Sequence, residues 1–262
     1  RKQRRRRVWI VVMDAKAKST RKTRDDGIRR RNPERTKQSI LAAATAEFCR
    51  HGFNGARVNA ISSRSNTNIR LLYQYFGDKV GLYLAVLEHV YAEIRAAEQR
   101  LQLDEVDPAE GMRRLVDFTF SFFGSHHEYV SLINNENMLR AQHIKKSAKI
   151  KSLTLPLVTA IKSLLARGEK SGIFRKGVDP VQLYVSIVAQ SYFHVSNRFT
   201  LSAMFDMDLT DESWLAERRR HAQELILTWL TADPEHDCSR TSLPPSDAQH
   251  WRPAAGEVNQ SA

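Results

Sequence analysis

Residues 67–88 read TNIRLLYQYFGDKVGLYLAVLE. The segment begins with turn and cap residues, runs for about two helical turns, breaks at Gly77-Asp78, and resumes as a long apolar stretch. The spacing predicts a short helix from about Asn68 to Phe76. Leu72 and Phe76 lie four apart and share one face, so they turn toward a core. Arg70, Tyr73 and Gln74 are then left outward, with Asn68 at the helix start. Asp78 suits an N-cap. The helix after it is expected to reach about Arg100, with Val80, Leu84, Leu87, Tyr91 and Ile94 on one stripe, a rod of roughly 34 Å.

Upstream, Asn32-Pro33-Glu34 is a helix start. Asn accepts from free N–H groups, Pro presets φ, and Glu suits the positive helix end. Ile40, Leu41, Ala44 and Phe48 follow at helical spacing, and Gly52 is expected to end this helix. A second short helix is expected over 58–64, with Val58 and Ile61 inward. Ser65-Asn66-Thr67-Asn68 then reads as a turn. Two short helices around a tight turn, the second rich in outward polar groups, outline an element that reads DNA. The first braces the second, which enters a major groove about 12 Å wide.

These residues carry a family resemblance. Leu72-Tyr73-Gln74-Tyr75-Phe76, then Gly77-Asp78-Lys79, then the apolar run 82–87 resemble the TetR family of one-component regulators. The first helix, with Arg35 to Ala44 followed by Phe48 and Gly52-Phe53, is similar too. The family-like segment covers residues 34–94, and the helix-turn-helix itself 57–76. The resemblance implies that Tyr73 and Lys79 hold phosphates, that Asn68, Ile69, Arg70 and Gln74 face bases, and that Arg57 clamps the backbone at the second helix. Three positions depart from the family pattern. Asn66-Thr67 replaces the usual Gly-Val turn, and Asn tolerates the left-handed conformation such a turn needs. Arg57 stands where a small residue is usual, and Arg70-Leu71 replaces Gly-Thr. Operator sequence cannot be carried across these changes. Tyr73 could instead be a half-buried core aromatic, and Arg70 could meet phosphate rather than guanine.

Beyond Asp107-Pro108 further helices are expected over about 109–123, 127–140, 152–170 (with Pro156 near its first turn), 180–199 and 211–231. The last is expected to bury Trp214, Leu215, Arg218, Ala222, Leu225, Ile226 and Trp229. The expected fold is all-α: a three-helix N-terminal domain over 33–79 joined by the long helix to a helical bundle over 80–231. This second part resembles the family in architecture alone, which implies an effector pocket and a two-helix dimer face. Residues 181–199 are apolar almost all round, as befits a helix buried on two sides. Pocket candidates are Asn134 and Asn137, which interrupt an apolar run, with His143, Tyr192, His194 and Asn197. A structural hydrogen-bond network or an exposed face is the stronger reading of the asparagines. Phe118, Phe122, Phe123 and Phe193 read as core.

Composition agrees with this outline. Among 262 residues, 11 Gly and 8 Pro are too few for a loop-rich all-β protein. The net charge is +12, and residues 1–37 hold 16 Lys/Arg against 4 Asp/Glu, so the excess belongs to a basic arm. Residues 1–31 and 232–262 are expected to be disordered, the arm assisting DNA binding. The apolar run 8–13 is too short for an export signal, and Met13 is a candidate native start. Cys49 and Cys238 show no CxxC spacing, consistent with a reducing cytoplasm, where the protein would sit on the nucleoid when bound to DNA. His126-His127 project about 100° apart and do not chelate one ion. No metal, cofactor, catalytic group or membrane span is expected, and no nucleophile–base pattern or phosphate loop suggests an enzyme. The expected partners are double-stranded operator DNA, a small-molecule effector and a second copy of the chain. A protein that coats nucleic acid or an anionic membrane through its arm alone is the competing reading.

Overall fold

The computed structural model describes residues 33–231. Asn32, the arm over 1–31 and the tail over 232–262 lie outside the described residues. Within them the regular structure is helical, comprising ten α-helices and one 3₁₀ turn.

The head consists of α1 (Pro33–Gly55), α2 (Val58–Arg64), α3 (Ile69–Phe76) and the start of α4 (Lys79–Gln99). Ile40, Phe48, Ile61, Leu72, Leu82 and Tyr83 are almost wholly buried in one shared core. Each such side chain contributes roughly 1.5–3 kcal/mol of transfer free energy. Gly52 takes φ 64 and ψ 178, so it breaks the first helix as expected. One further turn follows it to Gly55, which the sequence reading did not include. Asn66 is left-handed at φ 48, the conformation its replacement of glycine required.

The body contains α5 (Pro108–Ser125), α6 (His127–Met138), the 3₁₀ turn Ile144–Lys146, α7 (Ala148–Lys170), α8 (Pro180–Ser196), α9 (Arg198–Phe205) and α10 (Glu212–Thr231). Helix α5 packs on α7, α8 and α10, while α4 packs on α7 and runs from the head into the body. A second core gathers Met112, Leu115, Ile161, Leu164, Ile187, Ile226 and Leu230.

Several expectations need correction. Helix α7 begins one turn before residue 152, because the Ser147 hydroxyl caps it by accepting from Ile150 N–H at 3.1 Å. Pro156 is therefore interior to the helix. The helix expected over 180–199 stops at Ser196, and α9 is a separate helix that the sequence reading missed. On α4, Val80, Leu84 and Tyr91 are only partly buried; Val86, Val90, Arg95 and Glu98 join the buried face instead. Phe193 is 56% exposed, not core. On α10, Ala222, Ile226 and Leu230 are buried, whereas Leu225 and Trp229 stay exposed.

Candidate functional site

The pose of α3 is set from both ends. The Asn68 carboxamide oxygen accepts from Arg70 N–H at 2.8 Å, satisfying one of the free donors at the helix start. Gly77 closes the other end, its N–H reaching the Tyr73 carbonyl at 2.8 Å. Leu72 is fully buried and anchors the inner face. Asn68, Arg70, Tyr73 and Gln74 are exposed, and Ile69 is half-buried beside them. The outward side chains expected from the spacing are therefore presented together. Tyr73 is a surface residue, not a core aromatic.

The turn before α3 is internally bonded. The Ser62 hydroxyl donates to the Thr67 carbonyl at 2.5 Å, and the Thr67 hydroxyl donates to the Ser65 carbonyl at 3.1 Å. From α1, the Ser39 hydroxyl donates to the Ser65 carbonyl at 3.3 Å. Arg57 precedes α2 with an exposed side chain, and its N–H donates to the buried Glu47 carboxylate at 3.1 Å. Glu47 also lies 3.4 Å from the Arg64 guanidinium, so it holds both ends of α2 against α1. The sequence reading missed Glu47; its only signal was a position continuing the inward stripe of Ala43, Ala44 and Phe48. The Lys79 ammonium donates to the Asn54 carbonyl at 3.3 Å and lies 5.1 Å from the Phe53 ring centre. Partial burial lowers its pKa, against the opposing pull of Glu47.

The six effector-pocket candidates do not form one site, although Asn134 and Tyr192 meet. Asn134 accepts from the Tyr192 and Ser196 hydroxyls, clasping α6 to α8. Asn137 is exposed. His143 pairs with the buried Glu136 at the junction of head and body. His194 stacks on Phe120 with a ring-centre distance of 4.9 Å. The Asn197 carboxamide donates to the Phe193 carbonyl at 3.0 Å. None of the six lines the cavity of about 330 Å³ between α4 and α7, whose walls include Arg95 and Glu98. These two residues had no place in the sequence reading, although they continue the buried α4 face beyond Ile94.

Cys49 is structural. Burial, reinforced by Glu128, pushes its thiol up to about 12, and the Sγ donates to the Glu128 carbonyl. His126 stacks on Phe122 and His127 lies against Arg198.

The model for "Bacterial regulatory proteins, tetR family" matches residues 40–86, and that for "Tetracyclin repressor-like, C-terminal domain" matches residues 108–226. The chain is 35% identical to the HTH-type transcriptional repressor NicS of Pseudomonas putida, over 79% of this chain and 98% of the relative. Its fold is similar to that of the fatty acid degradation regulator FadR of Bacillus halodurans, with a TM-score of 0.56 and 20% identity over 73% of this chain and 94% of the other. FadR of Bacillus subtilis, solved in complex with stearoyl-CoA, gives a TM-score of 0.53 and 16% identity over 74% and 98% of the two chains.

Proposed function

The chain belongs to the TetR family of bacterial regulatory proteins, and from that membership we propose that it acts in the cytoplasm as a homodimeric repressor, leaving a pseudo-palindromic operator when a small molecule binds its body. The observation that carries this reading is the presentation of Arg70, Tyr73 and Gln74 on one short helix whose inner face is fixed by Leu72. In the groove, Asn68, Ile69, Arg70 and Gln74 face base edges, while Tyr73, Lys79 and Arg57 meet phosphates. Lys79 spends one of its three ammonium donors on Asn54, which orients the others. The repressor name of the Pseudomonas relative favours repression over activation.

Two copies are needed to read a two-fold site. Helices α8 and α10 pack side by side, and each keeps an exposed apolar row: Val181, Val185 and Phe193 on the first, Leu225 and Trp229 on the second. The first three recur at multiples of four, so they share a face. A partner's copy of the same two helices covers that surface.

Selecting bound fragments from genomic DNA with purified protein tests this reading. One enriched pseudo-palindrome is expected. Removing residues 1–31 should weaken binding and lower its salt slope while leaving the selectivity intact. Loss of all binding on that deletion, or indifference to every duplex offered, overturns the proposal. Among the described residues no helix is long and apolar enough to cross a membrane.

A further inference from the structure

The cavity between α4 and α7 has chemically distinct walls. Pro156 and Leu157 of α7 supply apolar surface, and the end of α4 with the turn after it supplies Arg95, Glu98, Asp104 and Glu105. Arg95 and Glu98 sit one turn apart and are each only 6% exposed. Nη1 of Arg95 lies 2.7 Å from Oε2 of Glu98, yet neither atom is in hydrogen-bonding geometry with any partner. The guanidinium has an additional anchor, because Nη2 donates to the Tyr184 hydroxyl at 3.1 Å. Glu98 has no such support. A buried carboxylate ordinarily collects several donors, and one without them carries an unpaid desolvation cost. Its pKa reflects this: burial raises it to about 7, against the pull of Arg95.

The charge balance selects the ligand. The lining holds one cation, Arg95, and three carboxylates, Glu98, Asp104 and Glu105. An anion would have to displace Glu98 from Arg95 while facing the two remaining acids. A cation is drawn by all three and brings the N–H donors that Glu98 lacks. The cavity volume is within the range of small-molecule sites.

We propose that this cavity takes a small organic cation, an amine or amidine on a compact apolar body, with its nitrogen against Glu98 and its body between Pro156 and Leu157. This rests on the reading of the body as a ligand-responsive module and names the class of molecule to which it responds.

Titration calorimetry on the full-length protein without DNA, using benzamidine and benzoate as matched probes, tests the proposal. Benzamidine should bind, benzoate should not, and Glu98→Gln should weaken benzamidine about tenfold or more, the loss of one charge-assisted contact. Leu157→Trp fills the apolar side without touching the charges and should also abolish binding; circular dichroism checks that both variants fold. Preference for benzoate, indifference of benzamidine affinity to both substitutions, or no binding of benzamidine overturns the cavity assignment. Operator release is measured separately. Binding that leaves the operator complex intact supports the cavity's chemistry and counts against ligand-controlled repression.

Discussion

The His143 imidazole and the Glu136 carboxylate meet at 2.7 Å, Nδ1 to Oε1, with both side chains buried. The carboxylate also accepts from the backbone N–H groups of His143 at 3.2 Å and Ile144 at 3.1 Å. The imidazole in turn lies 4.4 Å from the Phe53 ring and 4.9 Å from the Tyr83 ring, at the seam where the end of α1 meets the body. Next to it, the Asn135 carboxamide donates to the Tyr83 hydroxyl at 3.2 Å and packs against Gly52. Glu136 and its three donors thus fix the His143 ring within the body, and that ring with Asn135 meets Phe53 and Tyr83 of the head.

Glu136→Ala leaves those three donors without their acceptor in a buried site. The expected cost is about 3 kcal/mol, which for a chain of this size lowers the melting temperature by roughly 6–12 °C. Operator affinity should fall as well, because the His143 ring that packs on Phe53 and Tyr83 of the head loses its anchor. Calorimetric melting of the variant checks the first effect and gel-shift titration the second. An unchanged melting temperature would contradict the account of the seam.

Arg70 distinguishes two kinds of contact. If its guanidinium is bidentate to guanine, Arg70→Ala costs roughly 1–3 kcal/mol and relaxes a single base position. If it meets phosphate, affinity falls evenly over all sequences. The family resemblance, which places this position toward base edges, makes the first outcome the expected one. Binding to a set of operators permuted one base at a time reads the difference directly.

The paired face of α8 and α10 makes its own prediction. Val185→Asp combined with Trp229→Asp places charge on the two exposed rows while leaving Ile187, Ile226 and Leu230, the inward residues, intact. The double variant should fold and run as a monomer in sedimentation, and it should bind a full operator no more tightly than a half-site. A dimer that persists at micromolar concentration would place the interface elsewhere.

Gly168 of α7 is closed in by Phe174. A methyl group there would approach the ring to 1.9 Å, and both residues are buried. Gly168→Ala should therefore destabilise the body by about 1–3 kcal/mol despite alanine's better helix propensity. Urea unfolding measures it. Phe174→Leu in the same chain should recover part of the loss.

The head was legible because its signals are local. Leu72 and Phe76 set the buried side of α3, Asn68 caps it, and Asn66 stands where a left-handed residue is required, all within eleven positions. The body was less legible because its decisive contacts are long-range. Asn134 looked like a ligand group because its partners, Tyr192 and Ser196, lie some sixty residues downstream. Pro156 looked like a helix start because the true cap, Ser147, lies a turn earlier than the apolar pattern suggested. Phe193 and Trp229 are apolar and exposed, and periodicity alone does not distinguish a core from a surface awaiting a partner. Arg95 and Glu98 escaped for the opposite reason. Charged residues read as solvated, and only packing against α7 shows them buried.

His194 supplies a pH dependence whose sign follows from its surroundings. The ring is buried between Phe120 and Trp214, and neither nitrogen makes a well-aligned hydrogen bond. Burial, with a smaller contribution from the Arg218 charge and against the opposing pull of the Gln190 backbone, lowers its pKa to about 4 from 6.5. Between these values the unfolded chain binds a proton that the folded chain refuses. The stabilisation is therefore present above pH 6.5 and is lost as the pH falls through 4, where the folded ring protonates too. Over the interval from pH 7 to pH 4.5 the loss amounts to about 2–3 kcal/mol. His194→Phe keeps an aromatic ring against Phe120 and removes the proton site, so its stability should decline less over the same interval. Urea midpoints of both proteins at the two pH values give the comparison, and parallel declines would mean that His194 takes up its proton without penalty in the folded state.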